Sequence, residues 1–468
     1  MVFRIESTNQ IVSGVAVEMF HEGTDYWLPA GVTDASSGAQ AIFAISAGLT
    51  IIIDGSVIGA TDGIEYDNFG LVLSVGSRGE VRSISGLAAG DAVLDIAGAA
   101  QINNHGHIES SSGNGINLAG GNNVVTNFGI ISGALNGLWI GQVGSVSNTV
   151  LNHGSISGGV HGSLARDVNG VLILGTATTL FNDGTITAVA DGGAAIALGA
   201  LSEGGGNFAT ITNQGSLVSL HGFGVDGSGA ALGFLTLTNT GLISGGIRGT
   251  AGDDLISNSG TILGNVTIAE GADTFNNHGT VTGTVALGAS DDRYDGRGGS
   301  VTDVVYGEDG MDTLLGGASD DLLSGDAGND RLRGLAGDDS LSGGLGNDWL
   351  AGGLGDDTLS AGAGRDTMTG GAGEDVFVFA SAAEAGRSLA TRDQISDFTT
   401  KVDDIDLSAI KAGQIFIGSG TFATSGAAQV HYIAATGLLE GDTNGNGVAD
   451  YAVFLHVGTV LAANDLIL

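Results

Sequence analysis

Two spacings of apolar residues divide the chain. From Gly307 to Val378 a large apolar side chain recurs at every ninth position: Leu314, Leu323, Leu332, Leu341, Leu350, Leu359, Met368 and Phe377. An aspartate stands two places before each. The best copies, GGLGNDWLA at 343–351 and GGLGDDTLS at 352–360, read G-G-x-G-x-D-x-U-x, with U the apolar residue. Glycine tolerates φ > 0 and lets main chains approach closely, so the first six positions predict a turn. The last three predict a short strand with U facing inward. A solvated linker has no reason to hold Asp and Leu at fixed phase, and eight copies in register predict a stacked repeat array.

Upstream the apolar residue follows a different phrase, N-x-G-x-[ILV]. It occurs as NFGLV (68–72), NHGHI (104–108), NFGII (127–131), NHGSI (152–156), NDGTI (182–186), NQGSL (213–217), NTGLI (239–243), NSGTI (258–262) and NHGTV (277–281), with a degenerate IDGSV at 53–57. Successive copies lie 19 to 36 residues apart, so the phrase is fixed while the lengths between vary. A parallel β-helix behaves this way, each coil returning to one corner and placing insertions on other faces. The Asn side chains are expected to stack through their amides, and the Gly to permit a sharp turn. Acids at GDD (252–254), GAD (271–273) and SDD (290–292) recur 19 residues apart, close to two nonapeptides, so one solenoid is expected from about 45 to 380. The 86 glycines and the single proline, Pro29, fit uninterrupted strands joined by tight turns, and 42% apolar content speaks for a core over disorder.

Charge adds the chemistry. The net charge is −37, and between 303 and 375 stand 16 Asp or Glu against 3 Arg, a net of −13. Such a segment repels itself unless cations neutralise it. Ca²⁺ takes six to eight oxygen ligands, mostly carboxylates and carbonyls, which stacked Gly-rich turns supply. The expected ligand carboxylates are Asp303, Asp312, Asp321, Asp330, Asp339, Asp348, Asp357, Asp366 and Asp375. The expected turn glycines are Gly325, Gly328, Gly334, Gly337, Gly343, Gly344, Gly346, Gly352, Gly353, Gly355, Gly364, Gly370, Gly371 and Gly373. Asp303 belongs to a degenerate copy, GGSVTDVVY (298–306), with Val301 at the fourth position. LGASDDRYD (287–295) keeps Asp292 two residues out of step, Ser319 replaces the fourth-position Gly of the second regular copy, and Ala361 the first Gly of the seventh. Asp442, Asn444, Asn446 and Asp450 follow the odd-numbered oxygen spacing of a calcium loop, with a hairpin turn as the competing reading.

These nonapeptides resemble the RTX family of calcium-binding β-rolls, in which two copies make one turn of a right-handed parallel roll; eight copies then imply about four turns. Residues 370–468 resemble the C-terminal domain of serralysin metalloproteases and other RTX proteins exported by type I secretion. The matching stretches are GGAGEDVFVF (370–379), DQISDF (393–398), DDIDLSAI (403–410), GDTNGNGVADY (441–451) and NDLIL (464–468). The terminal Asp465, Leu466, Ile467 and Leu468 match that family's uncleaved export signal, and residues 1–30 lack a basic segment followed by an apolar core. The serralysin likeness stops at Gly298; His21 and Glu22 are followed by Gly23, Thr24 and Asp25, not by the H-E-x-x-H of a zinc protease. The upstream repeat is similar to the β-helices of secreted bacterial adhesins and filamentous haemagglutinin.

The expected fold is therefore all-β: an N-terminal cap (1–44), a right-handed parallel β-helix (45–296), a calcium-binding parallel β-roll (297–380) and a β-rich cap and secretion domain (381–468). The expected role is a secreted, extracellular or surface-attached calcium-binding adhesin or structural protein. Its expected partners are the type I secretion machinery and glycans or a cell surface. A polysaccharide-modifying β-helix enzyme and an S-layer or biofilm scaffold are the alternatives. From Ser83 to Asp292 only Arg166 and Arg248 are basic, which argues against catalysis on uronate polymers within the β-helix. The acidic balance argues against nucleic acid, and no apolar run is long enough to span a membrane. His105, His153 and His278, at the x of N-x-G, are expected as exposed turn residues, and Trp27, Trp139 and Trp349 as packing residues.

Overall fold

The computed structural model describes residues 49–468 except 67–69, 85–89, 96–98, 142–146, 160–167, 175–176, 200–207, 231–232, 389 and 425; before residue 49 it describes only six short strands. Asn68, His21, Glu22, Pro29 and Arg166 lie outside the described residues. The chain divides into two compact units, Met1–Ala269 and Glu270–Leu468. No described helix is long and apolar enough to cross a membrane.

In the first unit each coil lays one strand on each of three parallel sheets. Val124–Asn127, Ile130–Gly133 and Leu138–Gly141 form one such coil, and each pairs in register with the corresponding strand of the next, for example Val125 with Val150 and Ile131 with Ile156. Period-two alternation turns every second side chain inward, and β-branched or Leu side chains then stack in files. The apolar residues that close the phrases from 104 to 262 build one file, Ile108, Ile131, Ile156, Ile186, Leu217, Ile243 and Ile262, all fully buried. The copy at 68–72 does not join it, because Val72 opens a strand of another sheet, level with Thr50 and Gln101. The phrase itself is the corner between two sheets.

Glycine at that corner has a different cause from the one the sequence suggests. Gly129, Gly154 and Gly184 do not adopt positive φ. A Cβ on Gly129 would run into the carbonyl oxygen of Gly106, and one on Gly154 into that of Gly129. Close stacking of coils, not turn conformation, excludes a side chain there.

The second unit opens three-sided, with Thr274–Asn277, Thr280–Thr282 and Val285–Ala289, then Arg293–Asp295, Ser300–Val301 and Val304–Asp309. After Val301 the third sheet ends and two strands make a turn: Leu322–Ala327, Ser340–Gly346 and Thr358–Gly364 form one sheet, and Arg331–Ala336, Trp349–Leu354 and Thr367–Ala372 the other. Each strand pairs in parallel with the one eighteen residues on, Leu341 with Leu359 and Leu350 with Met368. The eight apolar residues of the nonapeptides are buried between the two sheets. At the far end Gln394–Ile395 and Asp404–Asp406 extend the sheets. An antiparallel meander, Gln429–Ile433, Leu438–Asp442 and Tyr451–Phe454, joins the first of these edges through Gln394 and Phe454. The final strand, Leu466–Ile467, pairs with Asp404–Asp406.

Candidate metal centres

The aspartate of each nonapeptide sits where a turn enters its strand, and the parallel register stacks these positions in two rows. Along one row the backbone N–H groups of Asp312, Asp330 and Asp348 donate to Oδ1 of Asp330, Asp348 and Asp366, each at 2.8 Å. Along the other, the N–H groups of Asp321, Asp339 and Asp357 donate to Oδ1 of Asp339, Asp357 and Asp375 at 2.8, 2.9 and 3.0 Å. All eight carboxylates are buried. Both rows run past the repeats. Asp292 precedes Asp312, while Asp393 follows Asp366 and Asp403 follows Asp375.

One carboxylate oxygen is thereby satisfied, and the other is not. Oδ2 of Asp312, Asp330, Asp339, Asp348, Asp357 and Asp375 is buried without a hydrogen-bond donor among the described residues. Each of these atoms lies over the Cα of the first glycine of its own repeat, where a Cβ would collide with it, as at Gly307, Gly325, Gly334, Gly343, Gly352 and Gly370. The same hollow receives a main-chain carbonyl from the next turn, that of Gly325 over Gly307, of Gly343 over Gly325, and of Ala361 over Gly343. A buried pocket that gathers acceptors and offers no donor is costly when empty of positive charge. Carboxylate and carbonyl oxygens are the donor set of a hard divalent cation such as Ca²⁺, so the residues present fit that ion. Among the described residues no three His, Cys, Asp or Glu side chains converge on one point. Main-chain oxygens must therefore complete any coordination shell.

Burial is the largest influence on ionisation, and nearby acids add a smaller rise in most of the turns. Asp312, Asp339 and Asp348 are pushed up to about 7 and Asp375 to about 6, although each bonded N–H pulls the other way. Asp321, Asp330, Asp357 and Asp366 are raised for the same first reason. Asp321 differs in geometry. Its Oδ2 accepts the Gly317 N–H at 2.6 Å, in the repeat where Ser319 replaces glycine.

The turn glycines serve two separate purposes. At the second and fourth positions Gly328, Gly337, Gly344, Gly346, Gly353, Gly355, Gly371 and Gly373 have positive φ, as the sequence led one to expect. Glu308, Asp326 and Leu335 hold the second position with φ of 74°, 68° and 85°, a strained state for side-chain-bearing residues. Asp303 is exposed and lies outside both rows, because Ser300–Val301 still belongs to a third sheet and Asp303 falls in the bend after it. The Asn–Gly loop at 442–450 is a hairpin turn between two antiparallel strands. The oxygens of Asp442 accept N–H groups of Asn444, Gly445, Asn446 and Gly447, and both oxygens of Asp450 accept from Asn444 Nδ2. Burial opposes ionisation of Asp442, but the four N–H donors outweigh it and lower its pKa.

The first unit carries a corresponding row of amides. Nδ2 of Asn104, Asn127, Asn152, Asn182, Asn213 and Asn239 donates to Oδ1 of the next Asn, ending at Asn258, at 2.7–2.8 Å. A second row passed unnoticed in the sequence: Asp62, Asp91, Asn114, Asn136 and Asn169 link coil to coil through N–H to Oδ1 bonds. Its signal is the weaker phrase [DN]-[GA]-[ILV], as in DGI at 62–64 and NGL at 136–138. Beside the first row, on the exposed corner, the rings of His105, Phe128 and His153 stack 4.8 and 4.7 Å apart, and His153 Nδ1 lies 2.8 Å from Asp183.

Fold and site together define two parallel β-solenoid units, the second of which contains stacked, acceptor-lined turns. Comparison with protein families gives the same class by an independent route: residues 306–341 and 342–377 match the RTX calcium-binding nonapeptide repeat, four copies each, so this segment is an RTX repeat array. A solution structure of the AlgE6R3 subunit from the Azotobacter vinelandii mannuronan C5-epimerase is similar at 26% identity, covering 36% of this chain and 79% of that one, with a TM-score of 0.23. No curated protein matches the chain.

Proposed function

We propose that this protein is a secreted calcium-binding solenoid, non-enzymatic, that serves at a cell surface or in an extracellular matrix as an adhesin or structural element and completes its fold on calcium after export. The observation that carries the reading is the double row of buried Asp Oδ2 atoms facing carbonyls. Without cations the row is a column of like charges taken out of water, and with Ca²⁺ between turns each acceptor has a partner. Millimolar calcium is found outside cells, and modules of this kind bind in that range, about 10⁻⁴–10⁻³ M. RTX repeat proteins are typically exported by type I systems. The C-terminal residues support that route here: Asp465 is buried, its Oδ1 accepts the Lys401 N–H at 3.0 Å, and Leu466–Ile467 is the edge strand of the last turn. The tail is thus free for recognition only while the roll is unfolded.

Calcium titration of the chelated full-length chain tests the reading. Far-ultraviolet circular dichroism should show cooperative gain of β signal between about 0.1 and 1 mM Ca²⁺. A spectrum that chelator leaves unchanged contradicts it. Deleting residues 410–468 should hold the protein inside the cell; secretion that survives the deletion contradicts type I export.

A further inference from the structure

The roll is acidic, yet one of its faces gathers unneutralised cations. Parallel register places Arg331, Trp349, Thr367 and Gln394 side by side on consecutive strands, and Phe454 of the cap continues the file beside Gln394. The Arg331 guanidinium lies 5.1 Å over the Trp349 ring. At the end of this file, where the meander is spliced onto the sheet, a cavity of about 350 Å³ opens. Its walls are Arg365, Arg392, Thr367, Gln394, Thr436, Leu438 and Phe454, together with Asp366. Asp366 is buried and belongs to the metal row: its Oδ1 takes the Asp348 N–H, and its Oδ2 is one of the unpartnered acceptors of the turns, forming no ion pair with either arginine. Among the described residues no carboxylate forms an ion pair with Arg365 or Arg392, in a chain that carries 51 acids against 14 Lys and Arg.

This lining has the composition of a ligand site: a small apolar surface, a few polar groups, and two guanidiniums without a carboxylate partner. Two guanidiniums provide paired N–H donors suited to a planar carboxylate. Thr367, Thr436 and Gln394 offer hydroxyl and amide groups that both donate and accept, which suits sugar hydroxyls. Leu438 and Phe454 provide an apolar surface for the C–H face of a ring.

We propose that this cavity binds a carboxylated sugar, a hexuronate unit of an acidic polysaccharide, with Arg365 and Arg392 on the carboxylate. The site goes beyond the calcium reading and needs from it only that the roll be folded. It also places glycan contact on the roll and its cap, where cations exist, and not on the β-helix, which has almost none.

The test is calorimetry on the calcium-loaded full chain with short hexuronate oligomers, the equivalent neutral oligosaccharide, and acetate, all at one fixed free calcium concentration. Uronate oligomers should bind, more weakly as salt rises, while the neutral oligomer and acetate should bind at least tenfold more weakly. Arg365→Gln and Arg392→Gln should each lower uronate affinity about ten- to hundredfold. Calcium content and far-ultraviolet spectrum should stay unchanged, and Arg387→Gln, outside the cavity, serves as the neutral control. Absence of uronate binding to a protein whose spectrum shows the calcium-loaded fold overturns the proposal and leaves the calcium reading standing. Equal binding of acetate, or uronate affinity undiminished in both variants, also overturns it.

Discussion

The two units solve the same problem with side chains that differ by one atom. In each, a short polar residue sits buried at a corner and bonds to its counterpart in the next coil. The asparagine of the first unit is both donor and acceptor: Asn152 Nδ2 reaches Asn182 Oδ1 at 2.7 Å while its own Oδ1 accepts from Asn127 at 2.8 Å. That row is neutral and closed upon itself. The aspartate of the second unit has two acceptors and no donor once ionised, so Asp348 uses Oδ1 on the Asp330 N–H and leaves Oδ2 without a partner. Replacing an amide nitrogen by an oxygen turns a self-sufficient ladder into one with an acceptor left over in every turn. On the function proposed above, the first unit should fold on its own sequence and the roll only with calcium.

Removal of calcium gives the largest separation of the two. Chelator should abolish the cooperative thermal transition of the roll while leaving that of the first unit in place, read by calorimetry as loss of one of two endotherms. Next in size is an exchange of the two chemistries. Asn152→Asp puts an unpaired charge into the amide row and should cost about 3–5 kcal/mol, with or without calcium, whereas Asn152→Ala should cost about 1–3 kcal/mol. Thermal or denaturant unfolding of the first unit checks both.

Protons should partly replace the cation. The buried aspartates have folded values near 6 to 7, above the unfolded value of about 4, so the metal-free roll binds more protons than the unfolded chain in between. Its metal-free stability is therefore greatest below about pH 4 and falls as pH rises toward 7. Calcium affinity should run the opposite way, weakening as pH drops from 7.5 to 5.5, because ligands must lose protons to bind metal. Titrations at three pH values check the sign.

Asp348→Asn should weaken calcium binding roughly tenfold and make the transition shallower while stabilising the metal-free roll, since it removes a repelled charge. Asp321→Asn should have the smallest effect of the series, because Gly317 already satisfies its second oxygen.

Much of this contrast is written in the sequence. Fixed phase of Asp and the apolar residue placed both rows and the core, since a parallel register of eighteen residues converts sequence period directly into spatial file. Asn at a repeated corner likewise announced its ladder. Asp393 and Asp403 escaped notice because they extend the rows across spacings of 27 and 28 residues, which no fixed period reveals. The fifth-position residues escaped for another reason. Asp338, Asp356 and Glu374 offer their N–H groups to the side chains of Asp320, Asp338 and Asp356, a backbone contact that tolerates Asp or Asn and so looks like ordinary surface variation. Asp303 kept the phase of the repeat but not its place, because Ser300–Val301 still pairs with the third sheet and the two-sheet turn begins only after it. The glycine of N-x-G was assigned to a turn, whereas its absence of a side chain is demanded by the coil below.

Hydrogen exchange on the intact chain, with and without calcium, tests the central claim most directly. The amides of Asp312, Asp330, Asp339, Asp348 and Asp357 each donate to a row aspartate and should be protected only with calcium present. Amides in the strands that carry the asparagine ladder, such as Val150 and Ile211, should be protected equally in both conditions. Equal protection of both sets in chelator would contradict the account.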